Sequence, residues 1–593
     1  MIQEETDTNL SQEREHTYRI NHISEQYLLK RTRIRKKPLK YSFIGGMWYT
    51  TSSFSFSQPI SLPYPFTTYY TTKILDKIHN GLICRSLSYA KTPLMILQFE
   101  DECIGISFDP KIKVQDKEVF PFISINEDES FYTISFYLFT SFEIKEKEHA
   151  WLGFGKKTKI DIAVQLNDTF TYTVKTYEVK NWEELVKQTL TNCFPDEVII
   201  KNSDESFYRA KHALYRSYDH LTGTFLQLPW RKTPGFTFVN SSYSLISYDA
   251  VRLHYFSDWY EKTKDKQFLV WQKGLRELLM NPKLHMKPKI GDGIAWFNMT
   301  NLTRKGLEGF FYLDCGYAGY PGGQATITYH LMKYLEHNED PDIEEMAKRS
   351  LQYILSTQHE DGSWPMAIRQ QGIIGVRLEK LQEYISSGGT GECIRALLEG
   401  YKRFNEEQYK NAAYLALEFL DTRYPICVNG LRDIGIQEPE AFSAISIIDA
   451  YLDAYELTKN KHYLDNAVTY ALYSASWFYL YNMGEMEFTW NFHPISYSIT
   501  PRLSPFEASM IVSTYKRLAQ VSNDPFWQTL STLSFNEVRK WVTENGGLSE
   551  GVFPTHNHLK RLPMEQTFAT VEFMKSCLEF SEQIKQKIMK KKI

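Results

Sequence analysis

Hydrophobic and polar residues alternate over the first third of the chain. Between about Lys40 and Tyr177 the period is two, in segments rich in β-branched and aromatic residues. These segments are LMILQF (94–99), IGISFD (104–109), VFPFISI (119–125), FYTISFYLF (131–139) and FTYTVKTYEV (170–179). Short strands separated by polar turns are typical of a β-sandwich. The pattern therefore predicts a β-sandwich domain over residues 41–180.

Residues 1–40 are polar and lack a clear period. They end in a basic run, KRTRIRKKPLK at 30–40, with seven Lys or Arg in eleven residues. Such a run is one way in which proteins bind nucleic acid or a membrane surface. Because charged side chains are mostly solvated, we predict a solvated N-terminal arm instead.

From about Ser203 the period of the hydrophobic residues changes to 3.6 and stays there, which indicates amphipathic helices. The predicted helices are 204–220, 240–262, 265–280, 322–338, 341–357, 390–405, 406–421, 439–458, 460–480, 504–522, 524–545 and 564–590.

Tight polar turns recur between these helices, so the helices form hairpins. The turns are KTKDKQF (262–268), HNEDPDI (337–343), FNEEQY (404–409), TKNKHYL (458–464) and VSNDPFW (521–527). A hairpin with one apolar stripe cannot close its own core, but six hairpins in a ring bury a shared one. We therefore predict an (α/α)6 toroid over residues 200–590, in which helix 204–220 pairs with the last helix. An open solenoid is the alternative.

Composition excludes several classes of protein. The 593 residues carry a net charge of −3, which excludes a globally basic nucleic-acid binder and an acidic disordered chain. Seven cysteines contain no CxxC pair, and their spacing fits neither a zinc site nor a disulfide framework. The N-terminus does not read as a signal peptide, and the longest uncharged stretch, 466–484, is too polar for a membrane span. We expect a cytoplasmic protein.

Aromatic residues make up 15% of the chain, more than a core requires, and many lie in the connections between hairpins. These connections are long: 221–239, 281–321, 358–389, 422–438, 481–503 and 546–563. In an antiparallel ring all of them fall on one face. Connections of this length in a compact domain are usually functional, so this face is the predicted site.

Four carboxylates are the candidate catalytic residues. Asp292 and Asp314 lie among glycines and aromatics in the segment 291–324, whereas Glu392 and Glu438 lie near predicted helix starts. A carboxylate at a helix start can simply cap the helix. Glycosidic bonds, however, are cleaved by two carboxyl groups, of which one protonates the leaving oxygen and the other acts as nucleophile or activates water. We pair Asp314 or Asp292 with Glu392 or Glu438.

The same connections supply candidate substrate-binding residues, because sugars stack on aromatic rings and hydrogen-bond to charged side chains. These residues are Trp296, Tyr312, Tyr317, Tyr320, Trp364, Arg369, Trp490, His493 and Arg561. No cofactor is predicted. His556 and His558 lack a clear third ligand, so no metal site is predicted either.

One segment carries a resemblance to known proteins. Gln358-His359-Glu360-Asp361-Gly362-Ser363-Trp364-Pro365 resembles a segment in the helical domain of glucuronyl C5-epimerases, and similar DGSW segments occur in squalene-cyclase and prenyltransferase toroids. A β-sandwich followed by a helical toroid is similar to glycoside hydrolases, polysaccharide lyases and related epimerases. The resemblance implies the toroid more than any one activity.

Several functions fit this pattern. The leading hypothesis is a glycoside hydrolase acting on oligosaccharides. A uronic-acid lyase or C5-epimerase is an alternative, with Tyr or His as acid and base and Arg369 or Arg561 neutralising the substrate carboxylate. A terpene-cyclase-like toroid lacks its DxDD-like or Asp-rich motif here. The last alternative is a non-catalytic scaffold whose loop face binds a partner protein.

Overall fold

The structure is a computed structural model of the whole chain. It describes residues 13–19, 26–44, 47–49, 83–86, 92–109, 112–114, 117–119, 121–139, 141–147, 155–161, 169–200, 202–225, 228–229, 243–286, 293–297, 299–303, 306–310, 321–365, 385–422, 441–476, 478, 480, 505–548, 552–554, 559–561, 564–565 and 567–581. The chain divides into two compact units. One comprises Met1–Pro195, Leu472–Arg502 and Phe553–Lys560, and the other comprises Asp196–Ala471, Leu503–Val552 and Arg561–Ile593.

The first unit is built from antiparallel strands. They are β1 Glu13–Arg19, β2 Gln26–Arg35, β3 Leu39–Ile44, β4 Met47–Tyr49, β5 Ile83–Ser86, β6 Leu94–Phe99, β7 Cys103–Phe108, β8 Ile112–Val114, β9 Lys117–Val119, β10 Phe122–Glu127, β11 Phe131–Phe139, β12 Ser141–Lys147, β13 Gly155–Asp161 and β14 Thr169–Val179. A six-stranded sheet has the order β1-β14-β7-β6-β3-β4, and a four-stranded sheet has the order β2-β11-β10-β5. The pairs β8–β9 and β12–β13 form separate ribbons.

Aromatic rings join side chains of the two larger sheets. Phe136 on β11 lies 5.3 Å from the Phe108 ring on β7 and 5.7 Å from the Tyr172 ring on β14. Phe136 and Tyr172 are completely buried. Rings at these separations contribute more than their buried area alone.

The first forty residues differ from the prediction. Two strands, β1 and β2, lie within the segment that we predicted to be a solvated arm. β1 pairs with β14 from Glu13↔Lys175 to Arg19↔Thr169, and β2 pairs with β11. In β2 the exposed Arg31, Arg33 and Arg35 alternate with inward-facing residues. The three arginines of the basic run therefore form the outer face of an edge strand, where positive charges discourage pairing with another chain.

A helix that the sequence analysis missed follows the sheets. Helix α1, Trp182–Asn192, begins at Asn181, whose side chain accepts a hydrogen bond from the Glu184 amide. Trp182 and Leu185 are buried. A Cβ atom at Gly105 on β7 would lie 2.0 Å from Leu185 Cδ2, so the glycine lets the helix approach the six-stranded sheet.

The second unit is helical, and each of the twelve predicted helices overlaps an observed one. They are α2 Ser203–Ser217, α3 Ile246–Thr263, α4 Lys266–Leu279, α5 Pro321–Tyr334, α6 Pro341–Ser356, α7 Ser387–Phe404, α8 Glu407–Thr422, α9 Ala441–Thr458, α10 Lys461–Ala475, α11 Pro505–Ser522, α12 Pro525–Arg539 and α13 Thr567–Phe580.

Six of these helices (α3, α5, α7, α9, α11 and α13) pack side by side in chain order, and the last returns to the first. Polar contacts join every neighbouring pair. Five are between side chains: His254–His330, Thr326–Glu392, Glu392–Ser446, Asp453–Arg517 and Thr567–Arg252. In the sixth, the Ser576 hydroxyl donates to the Ser509 carbonyl. These six inner helices therefore form a closed ring. The enclosed space is called the lumen below.

The other helices pack outside this ring. α4, α6, α8 and α12 each pack against the inner helix before them. α2 packs against α13, where Ser203 donates a hydrogen bond to the Phe580 carbonyl. The predicted pairing of the first helix with the last is confirmed, and the ring is a toroid rather than an open solenoid.

The hairpin turns share one local geometry. Lys264, Asn405, Lys459 and Asn523 have positive φ angles of 55–58° and end their inner helices. Most of the outer helices then begin behind a side-chain cap, as at Asp265, whose carboxylate accepts from the Gln267 amide. A residue in the left-handed conformation commonly ends a helix, and an Asp or Asn side chain commonly caps the start of the next one. The recurring turns in the sequence are explained by this pair of requirements.

Short strands that the sequence analysis did not predict occur between the helices of the second unit. They are Tyr218–Asp219, Thr224–Phe225, Leu228–Pro229, Tyr243–Leu245, His285–Met286, Ala295–Trp296, Met299–Thr303, Gly306–Phe310, Val552–Pro554, Leu559–Arg561 and Met564–Glu565, with a 3₁₀ helix at Pro282–Leu284. Three of them, Tyr218–Asp219, Tyr243–Leu245 and Met564–Glu565, lie at the ends of segments that we predicted to be helical (204–220, 240–262 and 564–590), and the others belong to the long connections. Across the described helices, none combines the length and the apolar character that crossing a bilayer requires.

Glu537 on α12 should make the stability of the protein fall at alkaline pH. Burial raises the pKa of its carboxyl from 4.5 to about 7, against the charge of Lys540, and the side chain is 6% exposed. A raised folded-state pKa stabilises the protein below pH 4.5, and this contribution is lost as the pH rises through 7. The loss is about 3 kcal/mol.

Urea unfolding of Glu537→Gln at pH 5 and pH 8 tests this expectation. The amide does not ionise, so the variant should lose less stability between the two pH values than the original protein. The matched control is Glu205→Gln, an exposed carboxylate on α2, which should keep the original pH dependence. Identical pH dependence in all three proteins would contradict the assignment.

Candidate functional site

The loop end of the ring is the end at which the inner helices begin. Contacting pairs advance together along neighbouring inner helices, from Asp449–Thr514 to Asp453–Arg517 between α9 and α11. The inner helices are therefore parallel. Each hairpin turns at the C-terminal end of its inner helix. Each long connection therefore leads to the N-terminal end of the next inner helix. This is the topology on which the site prediction depends.

Most of the predicted site residues lie outside the described residues. They are Asp292, Asp314, Glu438, Tyr312, Tyr317, Tyr320, Arg369, Trp490 and His493. Arg561 belongs to the strand Leu559–Arg561, but its side chain is likewise outside the described part. These residues remain predictions. The side chains of Glu392, Trp296 and Trp364 can be placed.

Glu392 lies in the inner ring and does not cap its helix. α7 begins at Ser387, and the capping side chain is Ser386, whose hydroxyl accepts from the Gly389 amide. Glu392 is in the second turn and is 1% exposed. Its carboxylate accepts hydrogen bonds from Thr326 on α5 at 3.1 Å and from Ser446 on α9 at 2.7 Å. The residue therefore joins three neighbouring inner helices.

The two placed tryptophans serve packing in this structure. Trp296 and Trp364 have no exposed surface. The indole N–H of Trp296 donates to the Leu279 carbonyl at 3.1 Å, and that of Trp364 donates to the Ile354 carbonyl at 2.8 Å. A sugar needs an open ring face for stacking, and neither indole offers one. Their predicted role in substrate binding is therefore not supported by this geometry.

The segment Gln358–Pro365, which carries the family resemblance, is a tight turn that is hydrogen-bonded to α7 and α8. Gln358 donates to the carbonyls of Gly362 and Ala412, so it ties the turn to α8. The Trp364 amide donates to Thr390 on α7. Gly362 has a φ of +89°, and a Cβ atom there would lie 2.4 Å from the Leu415 carbonyl oxygen. The residues present thus fit a structural role.

Gly362→Ala should destabilise the protein by about 1–3 kcal/mol, because an alanine at this positive φ is strained and its Cβ meets the backbone of α8. Thermal and urea unfolding measure the change. The control is Glu360→Ala, an exposed position in the same turn, which should stay within about 0.5 kcal/mol. If the two variants were equally stable, the close approach would not constrain the turn.

An aromatic collar that the sequence analysis did not single out lies at the loop end of the lumen. It consists of Tyr248, Phe442, Phe506 and Phe568, each at the second or third position of an inner helix. Tyr248 on α3 lies 5.6 Å from Phe506 on α11, although α13 stands between these helices in the ring. The contact therefore crosses the lumen. Phe506 also contacts Phe442 at 5.7 Å and Phe568 at 4.9 Å.

The collar had a signal in the sequence. An aromatic residue recurs at the start of four inner helices, in ISY (246–248), AF (441–442), PF (505–506) and TF (567–568). Comparing equivalent positions of the hairpin repeat would have revealed it. The hydrophobic period alone could not, because an aromatic residue in a first turn is also typical of ordinary core packing.

Further along the inner helices, away from the loop end, charged side chains of α7, α9 and α11 contact one another. Arg395 on α7 lies 3.1 Å from Asp453 and 3.7 Å from both Asp449 and Glu392. Arg517 on α11 lies 2.6 Å from Asp453. Burial alone would raise the pKa of Asp453, but the two guanidinium groups hold it below its usual value. Arg395 also lies 4.3 Å from the centre of the Tyr329 ring.

Groups that can transfer protons line the other side of the ring. His254 on α3 and His330 on α5 approach within 2.9 Å through their Nδ1 atoms. The Tyr255 hydroxyl lies 3.4 Å from the Glu572 carboxylate on α13. Burial, followed by the charge of Glu572, raises the pKa of Tyr255 well above its usual value. Over the described residues no group of three His, Cys, Asp or Glu could hold a metal ion.

Comparisons with known proteins give no family for this chain. No family model matches it, and no curated protein matches it. Among solved structures, a D-mannose isomerase has 10% identity and a TM-score of 0.47, covering 65% of this chain and 97% of its own.

Two further solved structures have similar scores. Cellobiose 2-epimerase from Bacillus thermoamylovorans B4167 has 12% identity and a TM-score of 0.46, covering 65% of this chain and 99% of its own. A GH76 α-mannanase of Bacteroides thetaiotaomicron has 14% identity and a TM-score of 0.43, covering 66% and 98%. At these identities and TM-scores the similarities assign the chain to no family, so its function has to follow from its own residues.

Proposed function

We propose that this protein is an enzyme that processes oligosaccharides, as a glycoside hydrolase acting at the loop end of the ring. The observation that carries the proposal is the collar of Tyr248, Phe442, Phe506 and Phe568 across the lumen, one turn above Glu392. Ser446 links the two features, because its hydroxyl contacts both the Glu392 carboxylate and the Phe442 carbonyl. The four rings are only 1–7% exposed, so they form an apolar lining at the loop end rather than an open stacking platform. An apolar lining with a carboxylate beside it is typical of a ligand site.

In this proposal Glu392 is one carboxyl group of the catalytic pair. Its partner is Asp314 or Asp292, which belong to a connection at the same end, and Glu438 is the alternative to Glu392. One carboxyl protonates the glycosidic oxygen as the bond to the sugar breaks, and the other attacks the anomeric carbon or takes a proton from the attacking water.

Glu392→Gln tests the proposal on a panel of oligosaccharides. The amide oxygen can accept from one of the two hydroxyls and the amide NH2 can donate to the other, so the side chain stays in place. It cannot exchange a proton, so we expect activity to fall by about 100-fold or more. The control is Glu399→Gln, which lies two turns further along the same helix. A folded Glu392→Gln variant with full activity, or no activity of the original protein on any glycan, would overturn the proposal.

A second candidate reaction is elimination or epimerisation of a uronic acid. The observation that favours it is the set of proton-transferring and cationic groups around the ring: Tyr255, His330, Lys575 and Arg395. Lys575 lies 5.2 Å from the centre of the Tyr255 ring. Abstraction of a proton beside a carboxylate needs such a base and a cation to stabilise the developing charge.

Reaction in D2O separates the two chemistries. An epimerase that exchanges its proton with solvent places deuterium on a sugar carbon, a lyase leaves an unsaturated product, and a hydrolase does neither. NMR and ultraviolet absorbance of the products distinguish them.

Two further features belong to this proposal. We place the protein in the cytoplasm, which is supported by the free thiols of Cys103, Cys193, Cys393 and Cys577. We also interpret the two larger sheets of the first unit as a β-sandwich, which is supported by the contacts of Phe136 with Phe108 and Tyr172.

A further inference from the structure

Large apolar side chains are exposed mainly in one part of the second unit. Seven of the eight that are exposed in the described part of the chain lie between residues 199 and 270. They are Ile199, Ile200, Tyr208, Tyr215, Leu221, Leu269 and Val270, and the eighth is Leu415. Their exposed fractions run from 38% for Leu269 to 94% for Leu221. Single exposed apolar residues need no explanation, but a contiguous group marks a surface that binds another molecule.

The two outer helices that carry most of these side chains, α2 and α4, are neighbours. The Lys211 ammonium on α2 contacts the carboxylate of Asp265, which caps α4. The Phe207 ring on α2 lies 6.5 Å from the Phe268 ring on α4. The exposed side chains of both helices therefore belong to one surface of the ring.

The two helices also run in the same direction. α4 is antiparallel to α3, because the two form a hairpin. α2 is antiparallel to α13, since the start of α2 contacts the end of α13. The inner helices α3 and α13 are parallel, so α2 and α4 are parallel as well. Tyr215 lies one turn after Lys211, and Leu269 lies one turn after Asp265, so their exposed side chains lie at the same level.

The name outer patch is used below for Tyr208, Tyr215, Leu221, Leu269 and Val270. Positive charges surround it. The exposed cations of the two helices are Arg209, Arg216, Lys266 and Lys273, and the exposed carboxylates are Glu205 and Glu277. Four cations against two carboxylates give this surface an excess of positive charge.

A cavity of about 230 Å³ lies beside the outer patch, where α2 begins and α12 ends. Its lining includes three cations, Arg209, Arg539 and Lys540, and one carboxylate, Glu205. Lys540 also contacts Glu537. Guanidinium and ammonium groups that converge in this way suit a phosphate group.

We propose that the outer patch and the cavity beside it bind the surface of an anionic lipid bilayer. The apolar side chains enter the boundary between headgroups and acyl chains, and the two tyrosines lie at the level of the headgroups. The arginines and lysines contact the lipid phosphates.

The arrangement of the charges favours a bilayer over a protein partner. The centre of a protein interface is depleted of charged residues. In the outer patch, by contrast, Arg209 follows Tyr208 directly and Arg216 follows Tyr215. Long cationic side chains beside apolar ones suit a bilayer, because their stems can lie along the apolar surface while their charges reach the headgroups.

Sedimentation of the full chain with lipid vesicles tests the proposal. We expect binding to vesicles of about 30% phosphatidylserine in phosphatidylcholine, and binding at least about 10-fold weaker to phosphatidylcholine alone. Added salt should weaken the binding, because it screens the exposed charges. No binding to the anionic vesicles would overturn the proposal.

Two double variants separate the apolar and the electrostatic contributions. Leu269→Ser with Val270→Ser removes two of the apolar side chains, and Lys266→Glu with Lys273→Glu reverses two of the charges. Each double variant should bind the anionic vesicles about 10-fold more weakly. All four positions are exposed, so we expect thermal unfolding to change little.

The matched controls are Leu415→Ser, at the exposed leucine on α8, and Lys461→Glu, at an 83% exposed lysine on α10. Both should bind as the original protein does. Double variants that bind as tightly as these controls would overturn the proposal. So would full release by inorganic phosphate with unchanged binding of the serine variant, since the cavity would then be a site for free phosphate. Because the readout is binding to lipid, its outcome is independent of the proposed action on oligosaccharides.

Discussion

Replacing Arg252 by methionine should lower the free energy of unfolding by about 3–5 kcal/mol. Arg252 on α3 is completely buried. Its guanidinium donates to Asp249 at 2.8 Å and to Thr567, the first residue of α13, at 2.7 Å. Methionine fills much of the same volume but leaves Asp249 as a buried carboxylate held by Thr224 at 2.8 Å. Since this contact joins the last inner helix to the first, its loss should also weaken the closure of the ring.

Urea unfolding measures the effect, and Arg276→Met is the control. Arg276 pairs with Asp340 and Asp342 near the surface, where an ion pair contributes about 1 kcal/mol or less. Adding Asp249→Leu to Arg252→Met should recover part of the stability, because no buried charge then remains. Equal losses for Arg252→Met and Arg276→Met would mean that the buried pair is no more important than a surface one.

Asp453→Asn should have an effect of similar size, about 3–5 kcal/mol. Asp453 on α9 is 5% exposed and lies between Arg395 of α7 and Arg517 of α11. Asparagine keeps the shape and some hydrogen bonds, but it removes the carboxylate that contacts both guanidinium groups most closely and leaves the more distant Asp449 with Glu392 and Glu456 to compensate them. Unfolding in urea at pH 7 gives the difference.

The pH dependence gives an independent check on Asp453. Its pKa lies below the usual value of the group, so its contribution is present above the pKa of the unfolded chain and is lost as the pH falls through the folded value. The stabilities of the original protein and Asp453→Asn should therefore converge in acid.

The control for this pair is Asp465→Asn, which removes an exposed carboxylate 4.0 Å from Lys461 and should change stability by less than about 0.5 kcal/mol. A difference between Asp453→Asn and the original protein that persists unchanged at low pH would contradict the electrostatic explanation.

The period of the hydrophobic residues was sufficient to predict the helical ring. Each predicted helix overlaps an observed one, because an amphipathic hairpin shows its buried stripe in the sequence. The same reasoning failed for β2, where charged residues hide the alternation of an edge strand. It also failed for α1, an eleven-residue helix that follows directly on a strand.

The candidate site was harder to predict from the sequence. Glu392 was expected near a helix start, but α7 begins earlier and Ser386 caps it, so the carboxylate lies one turn inside the ring. Trp296 and Trp364 resemble binding platforms because they occur in long connections with glycines. Whether an indole is open or covered depends on the neighbouring helices, as their bonds to Leu279 and Ile354 show.

The amino-acid pattern alone was enough to predict the twelve helices of the second unit, their pairing into hairpins, and the end of the ring at which the long connections lie. Those properties depend on residues close together in the chain. The contacts of Glu392 with Thr326 and Ser446, of Arg252 with Thr567, and of His254 with His330 depend instead on the three-dimensional fold. These partners are 54 to 315 residues apart. The free energy of such a contact depends on geometry and burial that no local pattern records.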